Sequence, residues 1–173
     1  MKLTIVEYPD KRLRLKSKDV TNFDAKLHKL LDAMNPIMIN TNGIGLAAIQ
    51  VNHAVKALVL NIPDEEGEQP PENLLEIINP IVTKTAGETV YQEGCLSVPK
   101  FYEDIKRFET LTLNYQDRNG NTKTLEADGL LSIAIQHEMD HLEGILFIDK
   151  LSYGRRKKFE KEYKRMLKEK KSS

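Results

Sequence analysis

The chain of 173 residues has no tryptophan, a single cysteine (Cys95), and aromatic side chains at only 6% of its positions. One thiol excludes an intramolecular disulfide framework and suits a reducing compartment. Nowhere do roughly 18 to 20 apolar residues run together, the length a membrane-crossing helix needs. The opening stretch, Met1-Lys2-Leu3-Thr4-Ile5-Val6-Glu7, lacks the apolar core and small-residue cleavage site of a secretory signal, and Glu7 and Asp10 are foreign to a transit peptide. Net charge is absent too: 26 basic residues balance 26 acidic ones, so neither DNA nor a membrane surface is expected as a partner. There is no internal repeat and no linker. With 40% hydrophobic and 30% charged residues the composition is globular, and the length predicts one domain over residues 1–173. A soluble intracellular protein is expected.

Hydrophobic periodicity supplies the elements. Leu3 to Val6 is a short β-like run, followed by a turn at Pro9-Asp10 and a basic stretch, Lys11 to Lys18, read as solvated surface. Leu27, Leu30, Leu31, Met34, Ile37 and Met38 recur at helical spacing, with Asn22 or Asp24 as N-cap and a kink or break expected near Asn35 because of Pro36. Ala57 to Ile62 reads as a buried strand, and residues 63–73 as an acidic, proline-rich loop. Leu74 to Val82 reads as a strand that Pro80 would confine to an edge. Thr110 to Gln116 alternates as a half-buried strand, Asp117-Arg118-Asn119-Gly120 signals a hairpin, and Asn121 to Ala127 would return. From Gly154 to Ser173 the chain holds ten basic and three acidic residues, with Phe159, Tyr163, Met166 and Leu167 at helical spacing. This predicts a basic amphipathic C-terminal helix, fraying at Lys170-Lys171-Ser172-Ser173.

One helix stands apart. It should begin near Asp128 and end before Gly144, and it carries His137-Glu138-Met139-Asp140-His141, an H-E-x-x-H. Four residues make little more than one turn, so both imidazoles project from one face, as a shared metal ion requires, with Glu138 beside them as a general base. Leu130, Ile133 and Ala134 share that stripe. Leu131, Ile135, Met139 and Leu142 cover the opposite side, leaving Ser132, Gln136, Asp140 and Glu143 as a narrow polar strip. A helix apolar on two faces is buried, and burying two histidines and a glutamate is costly unless something pairs with them.

The third ligand is open on spacing alone. The metzincin pattern fails at Phe147, where a histidine would stand. A thermolysin-like site would use a downstream glutamate, Glu160 or Glu162; otherwise Cys95, in Glu93-Gly94-Cys95-Leu96-Ser97, offers a thiolate. Gly43-Ile44-Gly45-Leu46-Ala47-Ala48 also fits the G-x-G-x-x-A of dinucleotide folds, with Asp64 about 20 residues on, but it follows a predicted helix where a strand is required. Glycines here equally let backbone run close to a ligand, with Gln50 supplying a side-chain amide.

Taken together, Gly43-Ile44-Gly45-Leu46-Ala47-Ala48-Ile49-Gln50, Glu93-Gly94-Cys95-Leu96-Ser97 and Gln136-His137-Glu138-Met139-Asp140-His141-Leu142-Glu143-Gly144 resemble the three motifs of the bacterial peptide deformylase family. They occur in order and at family-like spacing, within a likeness running from Tyr8-Pro9-Asp10 through Phe147. The resemblance implies an α+β fold: the H-E-x-x-H helix surrounded by mixed or antiparallel β-sheet, plus a C-terminal helix. It implies a cytoplasmic hydrolase that removes the formyl group from the N-terminal formylmethionine of new proteins and releases formate. Cys95, His137 and His141 would hold one divalent metal, Fe²⁺ expected, with Zn²⁺, Ni²⁺ or Co²⁺ as substitutes. Glu138 would move the proton, Gln50 and the backbone of Leu96 would hold the oxyanion, and Gly43, Ile44, Gly45, Leu130, Ile133 and Ala134 would bind substrate. Many members carry an arginine soon after E-G-C-φ-S (φ apolar) that meets the substrate; here that stretch reads Lys100-Phe101-Tyr102-Glu103, with Arg107 nearby. Because the substrate is a nascent chain, the basic C-terminal helix is a candidate ribosome contact.

Overall fold

A computed structural model describes residues 1–172. Three helices, α1 (Ala25–Asn40), α2 (Gly129–Leu142) and α3 (Tyr153–Ser172), accompany seven strands: β1 (Gly45–Ala47), β2 (Ala57–Leu60), β3 (Leu75–Ala86), β4 (Thr89–Cys95), β5 (Val98–Arg107), β6 (Thr110–Gln116) and β7 (Thr122–Asp128). Five strands form one sheet in the order β1-β2-β3-β6-β7, and β4-β5 is a separate hairpin. Every pairing of these strands is antiparallel. This is the α+β architecture expected.

The sheet is sandwiched where its strands are most apolar. Successive residues of β2 face opposite sides. Leu58 and Leu60 join Ala134, Ile135 and Leu142 of α2, while Ala57 and Val59 join Leu27, Leu31, Met34 and Met38 of α1. The unbroken apolar run of β2 therefore reflects burial on both faces. A third cluster lies under α3, where Phe159 and Tyr163 pack with Tyr8 and Phe101 through ring contacts of 4.9–5.7 Å.

Three expectations need correction. Helix α1 runs through Pro36 without a break. Pro36 and Asp32 are both exposed, so the carbonyl that loses its intrahelical partner faces solvent while the buried face holds the helix together. Pro80 does not make β3 an edge strand in the sheet order, but it stands where β3 has one neighbour only: β2 pairs no further than Ile78, and on the β6 side a register shift between Ile78 and Ile81 removes the ladder bond Pro80 could not make. Asn79 stands there at φ 52°, its side chain bonded to Val20 and Gln116. Leu3 to Val6 forms no strand, although the Val6 N–H donates to the Gln50 carbonyl at 2.7 Å. Asp128 is the N-cap residue of α2, as expected, although its side chain makes no capping bond; Asp24 caps α1, accepting from Leu27 N–H at 3.1 Å. The tail is helical as far as Ser172, and Ser173 lies outside the described residues.

Candidate active site

Helix α2 and strand β1 lie side by side, and Gly45 permits the approach. A Cβ on Gly45 would stand 2.5 Å from Glu138 Oε2 and 2.7 Å from Leu60 Cδ2. From the other direction the β4-β5 hairpin brings Cys95 to the same point. Its Sγ lies 3.4 Å from His141 Nε2, and the ligand atoms of Cys95, His137 and His141 all fall within 4.8 Å of one another. Among the described residues this trio is the cluster able to hold a metal. Glu160 instead accepts from Arg156 Nε at 3.1 Å within α3, away from the trio. The downstream-glutamate alternative therefore has no support in the geometry. Nor does the dinucleotide reading: Gly43 to Ala48 runs from a turn after α1 into β1, not from a strand into a helix.

Gln50 is oriented by its own neighbours. The Ala47 N–H donates to Gln50 Oε1 at 2.9 Å, which leaves Nε2 to donate to Ser97 Oγ at 3.1 Å, with Cys95 Sγ 3.6 Å away. The amide donor thus faces the trio. Ser97, though part of the motif, had no role assigned from sequence; its hydroxyl accepts from the same Nε2 and so helps to fix the Gln50 amide.

Behind His137 lies a buried ionic network. Glu93 accepts from His137 Nδ1 at 2.8 Å and from Arg107 Nε and Nη2 at 2.7 and 2.8 Å, while Arg107 Nη1 donates to Asp140 Oδ2 at 2.6 Å. Arg107 and Glu93 side chains are 3% and 4% exposed, so the pair works without solvent screening. Burial alone would raise the Glu93 carboxyl, but the bonds from Arg107 and His137 hold it below the usual carboxylate range. With Nδ1 engaged, His137 turns Nε2 towards Cys95, as an imidazole ligand needs. Arg107 is therefore no substitute for a substrate-facing arginine; it belongs to this network. Sequence reasoning missed the linkage. Its one visible signal was Asp140, three residues after His137 on the same helix, beside Glu93 in the cysteine motif.

The polar strip of α2 turns out to be a docking seam. Ser132 Oγ donates to the Phe108 carbonyl at 3.0 Å, and Gln136 both donates to that carbonyl and accepts from the Phe108 N–H, at 2.9 and 3.0 Å. These bonds clamp the β5-β6 connection to the helix.

Burial acts against the charged forms of Glu93, His137, Glu138 and His141, and neighbouring charges decide whether it wins. It pushes the Glu138 carboxyl up to about 7, against the pull of His137. It also works against a charged His137, but Glu138, Cys95 and Glu93 prevail and lift that imidazole well above the ordinary value; His141, buried beside it, falls well below. Glu138 Oε1 is buried with no hydrogen-bond partner among the described residues and lies 4.0 Å from His141 Nε2. An unpartnered buried carboxylate oxygen is costly, and a cation beside it relieves that cost. A thiol and two imidazoles, soft and borderline donors with a carboxylate at hand, fit a first-row divalent metal.

Gln50, Glu93, Cys95, His137 and Glu138 open into one cavity of about 490 Å³. Gly43, Ile44, Gly45, Leu96, Leu130, Ile133 and Ala134 line it together with Gln50, Cys95, His137 and Glu138. Of the expected site residues only His141, 1% exposed, is absent from the lining.

Known proteins resemble this chain in sequence and in fold. A family model described as polypeptide deformylase matches residues 2–157. A peptide deformylase of Helicobacter pylori (strain HPAG1) is 55% identical over 98% of this chain and 97% of its own length. One of Wolinella succinogenes is 56% identical over 94% and 96% respectively. A crystal structure of peptide deformylase from Plasmodium falciparum superposes with TM-score 0.88 at 35% identity, covering 98% of both chains. With the Cys-His-His cluster where the three motifs meet, and with likeness along nearly its whole length, the chain belongs to the polypeptide deformylase family.

Proposed function

We propose that this chain is a metal-dependent deformylase in which Cys95, His137 and His141 hold the ion, Fe²⁺ in the native state with Zn²⁺, Ni²⁺ or Co²⁺ as replacements. The observation that carries the reading is the meeting of that donor trio with Glu138 and the Gln50 amide in one cavity. When bound, the metal supplies Lewis acidity, polarising the formyl carbonyl and making water acidic. Glu138 takes the proton of the attacking water and returns it to the leaving nitrogen as the C–N bond breaks. Formate and a free methionyl amine result. Gln50 Nε2 and the Leu96 N–H donate to the developing oxyanion. Gly45 hydrogen-bonds the substrate backbone, Gly43 and Ile44 border it, and Leu130, Ile133 and Ala134 pack the methionine side chain.

The remaining assignments follow from this activity. Residues 1–173 act as one catalytic domain, working in the cytoplasm on formylmethionyl nascent chains. No helix among the described residues is long and apolar enough to cross a membrane. The basic face of α3 offers a contact for ribosomal RNA, since its phosphates attract Lys161, Lys164 and Lys168, all exposed. Replacing these three by glutamine, which spares the buried Phe159 and Tyr163, is expected to abolish co-sedimentation with ribosomes at low salt. Unchanged co-sedimentation refutes the contact. Catalysis is tested with Cys95→Ala against Glu160→Ala and Glu162→Ala: only the first should lose metal and formate release together.

A further inference from the structure

The cavity is charged at depth and uncharged at its rim. Its ionisable lining groups apart from two tyrosines are Glu93, Cys95, His137 and Glu138, and no lysine or arginine lines it. Around the opening stand Thr41, Asn42, Gln92 and two exposed aromatic rings, Tyr91 at 42% and Tyr102 at 64% exposure. In a chain with only 6% aromatic residues, two exposed rings on one cavity wall require an explanation. Neither ring stacks on another or makes a hydrogen bond among the described residues, so neither serves the core. Tyr102 is nonetheless placed. Its Cε1 and Cδ1 lie 2.5 and 2.7 Å from where a Cβ on Gly94 would stand, so the ring rests on bare backbone one residue before Cys95. Any side chain at 94 would lift it away.

We propose that Tyr91 and Tyr102 determine specificity beyond the formylmethionine, forming an uncharged aromatic rim that favours aromatic and large apolar side chains at the second and third residues of the substrate. The inference rests on the deformylation reading above. A cavity of 490 Å³ has room for more than one residue, and a bound chain advances about 3.3 Å per residue from the depth towards the opening. There its next side chains meet rigid rings that order at little entropic cost. Charged side chains meet no counter-ion on this wall to offset the water they lose.

The test measures kcat and KM of metal-loaded wild type, Tyr91→Ala, Tyr102→Ala and Tyr102→Phe. Substrates are formyl-Met-amide and formyl-Met-Ala-X-amide with Phe, Glu or Lys at X. Wild type should favour Phe over Glu and Lys by roughly 2- to 10-fold in kcat/KM per ring engaged. Each alanine variant should narrow that gap through KM, and Tyr102→Phe should keep it. The proposal is overturned if wild type treats the three peptides alike, or if Tyr102→Ala lowers kcat/KM by one common factor for every substrate, formyl-Met-amide included. Failure of the deformylation reading would show separately, as no formate from any peptide with wild type.

Discussion

At the deep end of the cavity His137, Glu93, Arg107 and Asp140 are joined by contacts of 2.6–2.8 Å, whereas at the rim Tyr91 and Tyr102 are exposed, and Tyr102 rests on Gly94 by shape alone. The two ends answer different demands. A metal ligand must present one nitrogen in one direction, and a buried ionic network enforces that because any misalignment leaves a charge unpaired. A rim that meets the variable side chains of many substrates gains from rings that accept several shapes. Groups fixed by ionic hydrogen bonds thus belong where the chemistry repeats, and rings free of such bonds where the substrate varies.

Substitutions at the deep end should cost most. Glu138→Gln keeps the size of the side chain and removes the proton acceptor, so kcat should fall by about 10²- to 10⁴-fold. Bound metal, measured by elemental analysis, should stay at wild-type level, which separates proton transfer from ligation. Gly45→Ala comes next. The added methyl would meet the Glu138 carboxylate and Leu60, and a carboxylate displaced by about 1 Å can cost on the order of 10²-fold in rate. A crystal structure of that variant with Glu138 unmoved and normal turnover would break the link between β1 and α2.

Arg107→Leu acts one step further from the reaction. It strands Glu93 in a buried site, and losing one partner of such a pair costs about 3–5 kcal/mol. Metal affinity should fall by roughly 10- to 100-fold as His137 loses its orientation. Competition with a chelator reads the affinity, and urea unfolding reads the stability. If both stay at wild-type values, the network is not what holds His137.

The smallest effect belongs to the surface. Asp149 accepts bonds from Arg14, from Arg156 at 2.7 Å and from the Leu146 N–H at 2.9 Å. Burial works to raise its pKa, yet those bonds hold it below the usual carboxylate value. A carboxyl with a depressed folded pKa stabilises fully above its unfolded pKa, near 3.9, and that contribution fades as the pH drops through the folded value. The urea midpoint of wild type should therefore exceed that of Asp149→Asn at pH 7, and the gap should close in acid below about pH 4. A gap that persists there would assign the effect to packing.

Much of the site was legible because its parts are local. The H-E-x-x-H spacing puts His137 and His141 on one helical face by geometry alone, and the glycines at 43 and 45 announce a close backbone approach. The hairpin at Asp117 to Gly120 lies between β6 and β7 as its turn residues require. What stayed hidden depends on partners distant in sequence. Pro36 and Pro80 were read by their local cost, yet one faces solvent and the other sits in a register shift that only pairing with β6 creates. Arg107 and Glu93 are brought together by the fold of the β4-β5 hairpin, and no periodicity in either strand points to the other. Tyr102 offered no signal of its own; its resting place on Gly94 is a product of the same hairpin.

Metal-dependent deformylation is tested by one assay: formate release by protein purified without oxygen, its metal content measured, from formyl-Met-Ala-Phe-amide, beside the loss of the acyl group from the acetyl analogue. The prediction is about one divalent ion per chain, rapid release of formate with metal bound, none after chelation, and no comparable turnover of the acetylated peptide. Equal turnover of both peptides, or undiminished activity after the metal is removed, would contradict it.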